Sequence, residues 1–542
     1  MQDAKKQNYL KGSAILAAAS IFVKIVSALY RIPISNIIGD VGYGDFQAVY
    51  NVYTLFLTIS TVGIPVAMSR LVSAANATGN AGLTKRYFKV ALPAFAAIGV
   101  AALLAMFIFA QQFANAMHNT VITPGIRVLA PAVFFVCIIS VYRGYTQGFH
   151  NMIPTAASQV VEVVSKLVFG IAAALWLTSR NFELPIVSAG AIMGVTIGLA
   201  ICIPMLVWFK RRADRETVFP DDDETLPSRG RVLAQLLKVT IPIALGASFM
   251  SIITNIDTSV VLGRLQFGLH LTEEAARGLY GMYSKCLNVY NLPPALVVPV
   301  SVSIVPAIAA ALARKNGEES RSITQSALKL INMLAMPACA GIMALSGPIL
   351  AALFNDTRQD TVTILTILGA ASFFVCFQLV STAILQANGF ERITMITYPI
   401  GGAVQIALDY YLVGRPDIGI LGSPVGTLSC FAVISVLNVI LILTKVKYKP
   451  KFSDVFIKPL MCTVVMAAAA YFANMLFSKL AASALGQGRL SAIAAMAAAI
   501  VVGLVVYLFL VVKTRAVTKD DLSLFPKGEK LAKILRVKQG RH

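Results

Sequence analysis

Nine of the ionisable side chains within the long apolar stretches of this chain stand out at membrane depth: Lys24, Arg31, Arg127, Arg143, Glu162, Lys166, Asp257, Lys285 and Asp409. Each costs at least about 2.5 kcal/mol near the centre of a bilayer, so such groups face a cavity or a partner. Six are basic and three acidic, an excess of three positive charges. A wet chamber lined by surplus cations suits an anion. Ammonium and guanidinium groups replace the water around phosphate, and arginine adds a bidentate fork. Glu162 and Lys166 stand four apart on one helix face and are expected to pair. Arg31, Arg127 and Arg143 fall near the ends of apolar runs, where long side chains snorkel to head groups. Lys24 and Lys285 lie deeper. The chemistry on offer is binding rather than catalysis. The four histidines are scattered, and the seven cysteines lie inside apolar runs without any Cys-x-x-Cys, as small hydrophobes do. No G-x-x-x-x-G-K-[ST] signature is present, so ATP is not the expected energy source.

The elements that must position these charges are transmembrane helices. Of 542 residues, 57% are hydrophobic and 13% charged, against about a quarter charged in soluble domains. Apolar stretches predict an all-α polytopic membrane protein of about fourteen spans. These are 12–36, 46–74, 87–111, 124–148, 154–178, 186–209, 236–262, 279–312, 323–352, 362–388, 392–413, 419–444, 455–478 and 489–513. The net charge of +21 is not a nucleic-acid signature, because Lys and Arg concentrate in alternate loops. One set holds Lys85, Arg86 and Lys89, then Lys210, Arg211, Arg212 and Arg215, then Arg314, Lys315 and Arg321. The loops between are short or acidic, with Asp40, Asp45, Glu273, Asp356 and Asp360. This positive-inside pattern puts both termini in the cytoplasm, with the basic tail on the inner leaflet.

The chain also repeats itself. Tyr43-Gly44, an aromatic at Phe46, and Asn51-Val52-Tyr53 return as Tyr280-Gly281, Tyr283 and Asn288-Val289-Tyr290, at an offset of 237. Phe134-Phe135-Val136-Cys137 returns as Phe373-Phe374-Val375-Cys376, at an offset of 239. A duplicated multi-helix unit suits a carrier open alternately to two sides. The expected organisation is two pseudo-symmetric six-helix lobes, 1–209 and 236–444, joined by a cytoplasmic linker, 210–235. Two additional helices (445–513) and a basic tail (514–542) follow. Prolines 293, 294, 299 and 306 suggest a hinge in span 8.

Tyr30-Arg31-Ile32-Pro33, Ile38-Gly39-Asp40-Val41-Gly42-Tyr43-Gly44 and Gly63-Ile64-Pro65 resemble the start of the stage V sporulation protein B family. Asn291-Leu292-Pro293 and Ser303-Ile304-Val305-Pro306 in span 8 extend the likeness. That family lies in the MOP (multidrug/oligosaccharidyl-lipid/polysaccharide) superfamily, with MurJ-like lipid II flippases. The resemblance implies a flippase moving undecaprenyl-pyrophosphate-linked peptidoglycan precursor from the inner to the outer leaflet, without enzymatic chemistry. It implies Lys24, Arg31 and Lys285 as pyrophosphate ligands, with Arg127 and Arg143 as further cations, and a lipid-tail groove at spans 13–14. Thr58 departs from the pattern, standing where MurJ proteins carry an arginine. A Na⁺ site is implied at Asp257, Gln405, Asp409 and Thr427; no other cofactor is expected. The implied location is the bacterial plasma membrane, with membrane lipids, a lipid-linked anionic glycan and cell wall synthesis proteins as partners. Two other readings stay open: a flippase for another lipid-linked polysaccharide, and a MATE-type Na⁺- or H⁺-coupled drug exporter using Asp257 and Asp409.

Overall fold

The computed structural model describes residues 2–216, 226–450, 452–486 and 488–514. The linker acids at 221–224 and the tail cations from Lys527 onward lie outside them. The described chain is almost wholly helical, without strands.

It divides into two compact units, Met1–Gly281 and Met282–His542. The first contains α1 (Gln2–Ala77), α2 (Ala81–Ile108), the short α3 (Ala110–Ala116), α4 (Thr123–Gly148), α5 (Ile153–Ser179), α6 (Leu184–Glu216) and α7 (Arg229–Gly263). α8 (Glu273–Tyr290) begins in it. The second contains α9 (Leu292–Ala313), α10 (Gly317–Ala344), the short α11 (Ser346–Phe354), α12 (Gln359–Ala387), α13 (Glu391–Leu412) and α14 (Gly422–Lys445). The hairpin of α15 (Phe452–Leu485) and α16 (Arg489–Lys513) completes it.

Eleven helices among the described residues are long and apolar enough to cross a membrane. One of them, Ala18–Ala77, has 60 residues, about 90 Å of helix, far beyond a hydrocarbon core of about 30 Å. It folds back at Gly39, whose φ of 65° breaks the helical run. Tyr30 and Phe46 would stand about 24 Å apart on a straight helix. Their ring centroids are 6.1 Å apart, so the halves run antiparallel as two spans. Expected span 8 is also broken. α8 ends at Tyr290, and Pro293 opens α9, where a missing N–H costs nothing in the first turn.

The duplication is visible in where helices begin. α2, α3 and α4 start at 81, 110 and 123; α10, α11 and α12 start 236 residues later, at 317, 346 and 359. α5 and α6 start at 153 and 184, and α13 and α14 follow 238 residues later, at 391 and 422. The fold is thus two copies of one helical pattern with α15 and α16 added. Large apolar side chains such as Leu245, Phe249, Val465 and Phe472 are exposed on the helices, as lipid-facing surfaces require.

The two copies of the Tyr-Gly motif meet. A Cβ on Gly44 would lie 2.3 Å from the Arg277 carbonyl oxygen, and one on Gly281 would lie 1.8 Å from that of Asp40. Only glycine lets the α1 and α8 backbones approach this closely.

Candidate functional site

In the first unit, α1 and α5 bring two cations to one aromatic ring. Arg31 Cζ lies 5.4 Å from the Tyr50 ring centroid and Lys166 Nζ lies 4.8 Å from it, so the charges are within about 10 Å of each other. Lys166 is buried and also stands 5.0 Å from the Tyr30 ring. Tyr30 is fixed by donating to the Ala191 carbonyl at 2.7 Å. A buried ammonium gains from the negative faces of two aromatic rings. Lys24 lies on the same half of α1, two turns before Arg31, and is exposed.

The expected Glu162–Lys166 pair does not form. Glu162 instead accepts from Arg143 of α4 at 3.0 Å, and Arg143 Nε donates to Ser158 at 2.8 Å. The i,i+4 spacing allows a pair, but α4 supplies a guanidinium that reaches carboxylate and hydroxyl together. Lys166 is thereby directed to α1. Its place inside an apolar run was legible in the sequence; its aromatic partners were not. Arg127 is exposed over the Phe107 ring at 5.6 Å. It is 16 residues from Arg143 on α4, about 24 Å along the axis, so these two arginines cannot grip one diphosphate.

Lys285 sits in the second unit, buried, and donates to Asp356 at 2.9 Å. Asp356 also accepts from Arg358 Nε at 2.9 Å and from its backbone N–H at 3.1 Å. Burial opposes charge on Asp356, but the hydrogen bonds from Arg358 and Lys285 outweigh it and hold the carboxyl below the usual carboxylate range.

A polar seam joins α1 to α7 and α8 inside the first unit. Asn51 donates to Thr258 at 2.9 Å and to Tyr280 at 3.0 Å, while accepting from Gln47 at 2.8 Å. Further along, Thr58 and Ser251 hydroxyls are 3.0 Å apart. At the other end Asp45 is almost fully buried. Arg277 donates to it twice, at 2.7 and 2.5 Å, and Asn119 donates at 2.9 Å. Sequence patterning assigned Asp45 to an acidic loop; its partner 232 residues away left no local signal.

The four expected Na⁺ ligands divide between the units. Asp257 is buried in α7 of the first. Gln405 and Asp409 are on α13, and Thr427 is on α14, in the second. A Cβ at Gly426 would lie 2.1 Å from Asp409 Oδ1, so this carboxylate rests against the α14 backbone beside Thr427. Thr427 Oγ1 lies 2.9 Å from the Tyr283 hydroxyl. Hard oxygen donors of this kind fit a small cation. No group of three or more His, Cys, Asp or Glu gathers among the described residues.

An apolar cavity of about 440 Å³ lies between α10 and the α15–α16 hairpin, lined by Met333, Pro337, Met466, Ala470, Gly503 and Tyr507 among others. Tyr507 closes one side by donating to the Met333 carbonyl at 2.7 Å.

Residues 9–312, more than half of the chain, match the family described as "Polysaccharide biosynthesis protein", and the chain belongs to that family. It is 26% identical over 528 residues to the uncharacterized membrane protein YabM of Bacillus subtilis (strain 168), covering 97% of this chain and 96% of that protein. The lipid II flippase MurJ of the same organism is 25% identical over 439 residues, covering 77% and 80%. Its stage V sporulation protein B is 24% identical over 442 residues, covering 80% and 83%. Among solved structures, a lipid II flippase MurJ in an inward closed conformation superposes with a TM-score of 0.68 at 15% identity, covering 93% of this chain and 99% of that one. An inward-facing MATE family transporter of the MOP superfamily gives 0.63 at 16% identity, covering 78% and 96%. The fold is that of these solved MurJ and MATE structures.

Proposed function

We propose that this chain flips the undecaprenyl-pyrophosphate-linked peptidoglycan precursor, lipid II, from the inner to the outer leaflet by alternating access. The observation that carries this reading is the convergence of Arg31 and Lys166 on Tyr50, with Lys24 on the same half of α1. A diphosphate needs several cations within its own dimensions, and each charge-assisted hydrogen bond contributes about 1.5–3 kcal/mol. Lys285 and Arg143 are already matched by Asp356 and Glu162, so they support the site rather than supply its charge. The apolar cavity beside α15 and α16 has the lining that a polyprenyl chain requires. With the cell interior negative, an anion moving outward gains about 2.3 kcal/mol per charge per 100 mV, so ATP is dispensable. Asp409, Gln405 and Thr427 of the second unit would hold a coupling Na⁺. The charge pattern of the loops supports a reading with both termini in the cytoplasm, the membrane being a bacterial plasma membrane.

The test is complementation of cells depleted of their lipid II flippase, reading the leaflet distribution of the precursor. Arg31→Ala and Lys166→Gln should each reduce translocation about tenfold or more at unchanged membrane abundance. Wild-type translocation in both would remove the proposed anion site. A chain that fails to complement lipid II but restores another lipid-linked glycan would keep the site and change its cargo.

A further inference from the structure

A basic cavity lies apart from the residues assigned above. It has a volume of about 600 Å³, within the range of small-molecule sites, and lies between α2 and the start of α7. Lys85, Arg86, Lys89 and Arg229 line it, and no acidic side chain does so among the described residues. Lys85 and Lys89 are one turn apart on α2, a spacing at which like charges repel. Arg86 is partly buried, and its Nε is shut off from solvent with no hydrogen-bond partner among the described residues. A buried guanidinium N–H left unpaired is costly, so Arg86 calls for an acceptor within this cavity.

The shape narrows the anion further. Beyond the cations, Val90, Pro93 and Leu233 continue the wall as apolar surface toward the interior of the spans. A free phosphate ion would use only the basic mouth, whereas a lipid uses both parts. The loops here carry the positive-inside charge, and basic pockets between helices on that side recognise anionic head groups. We propose that this cavity binds the phosphate-bearing head group of an anionic phospholipid of the inner leaflet. Such a lipid would brace α2 against α7 whatever cargo the protein carries.

The experiment is native mass spectrometry of the full-length protein in detergent, titrated with phosphatidylglycerol or phosphatidylcholine. Wild type should retain one phosphatidylglycerol selectively. Arg86→Gln combined with Arg229→Gln should weaken that retention at least about tenfold. Arg86→Lys with Arg229→Lys should keep most of it, and Arg321→Gln with Lys447→Gln, in other basic segments, should leave it unchanged. Melting curves of all variants separate loss of binding from loss of fold; should the glutamine pair not fold, the lysine pair must still discriminate between the two lipids. Equal retention by wild type and the glutamine pair would overturn the proposal. So would displacement of the lipid by an equal concentration of glycerol phosphate, which would mark an ion site. Retention that appears only after residues 221–224 are neutralised would also overturn it, assigning the cavity to the chain's own acids.

Discussion

Lys166 and Lys285 are both buried lysines on helices, yet their surroundings differ in kind. Lys166 faces two aromatic rings and shares one with Arg31. Lys285 is held by Asp356, with Arg358 on the same carboxylate. The difference is testable through pH. The Asp356 carboxyl is held below the ordinary range, so its contribution to stability is complete above the unfolded carboxylate pKa of about 3.9. That contribution is lost as pH falls through the lower folded value. Melting temperature measured between pH 6 and pH 3 should therefore decline in the wild type. Asp356→Asn should start lower, by about 3 kcal/mol for the broken buried pair, and should decline less steeply. Parallel curves for the two proteins would contradict the assignment.

At the scale of elements, two contacts decide how α1 can behave. The first is the glycine crossing with α8. Gly281→Ala would drive a methyl into the Asp40 carbonyl, and overpacking of this sort costs about 3 kcal/mol when backbone must move. The expected result is loss of folded protein by gel filtration, whereas Gly278→Ala, with Val41 at 3.4 Å, should be tolerated. The second is the seam with α7, which is polar along much of its length. Hydrogen bonds can be exchanged for water when a seam opens, whereas interdigitated apolar packing resists parting. Alternating access as proposed requires α1 and α7 to separate. Thr58→Cys with Ser251→Cys, at hydroxyls 3.0 Å apart, should cross-link under oxidation and abolish transport, with recovery on reduction. Full transport by the cross-linked protein would rule out movement at this seam.

The whole molecule is a duplication whose copies have diverged in charge. Where α4 and α5 carry Arg143, Glu162 and Lys166, the corresponding positions of α12 and α13 hold Thr382, Ile400 and Val404. At those positions the second copy uses neutral groups instead: Gln378 donates to Thr382 at 3.1 Å, and Asn438 donates to Ser381 and Thr382 at 3.0 Å. Under the proposed function, anion binding falls to the first copy. α15 and α16 have no counterpart in the repeat, and their role is tested by filling the cavity beside them. Ala338→Leu should occupy part of the 440 Å³ without disturbing the cations of the first unit. Translocation should fall severalfold while the melting temperature holds; unchanged transport would argue that no lipid chain enters there.

Apolar run length, alternate basic loops and the recurring Tyr-Gly and Phe-Phe-Val-Cys motifs were enough to read a duplicated, all-helical membrane protein from residues alone. These are local or periodic properties, and a bilayer enforces them span by span. The same information identified buried charge as the feature to explain. It could not say which charges remain available, because neutralisation is decided between helices. Glu162 was free to choose between Lys166, four residues away, and Arg143 on another helix. Packing of α4 against α5 settled that choice. Asp45 and Arg277, far apart in sequence and bonded in the fold, show the same limit. Partner choice is a tertiary property, and the composition of the site follows from it.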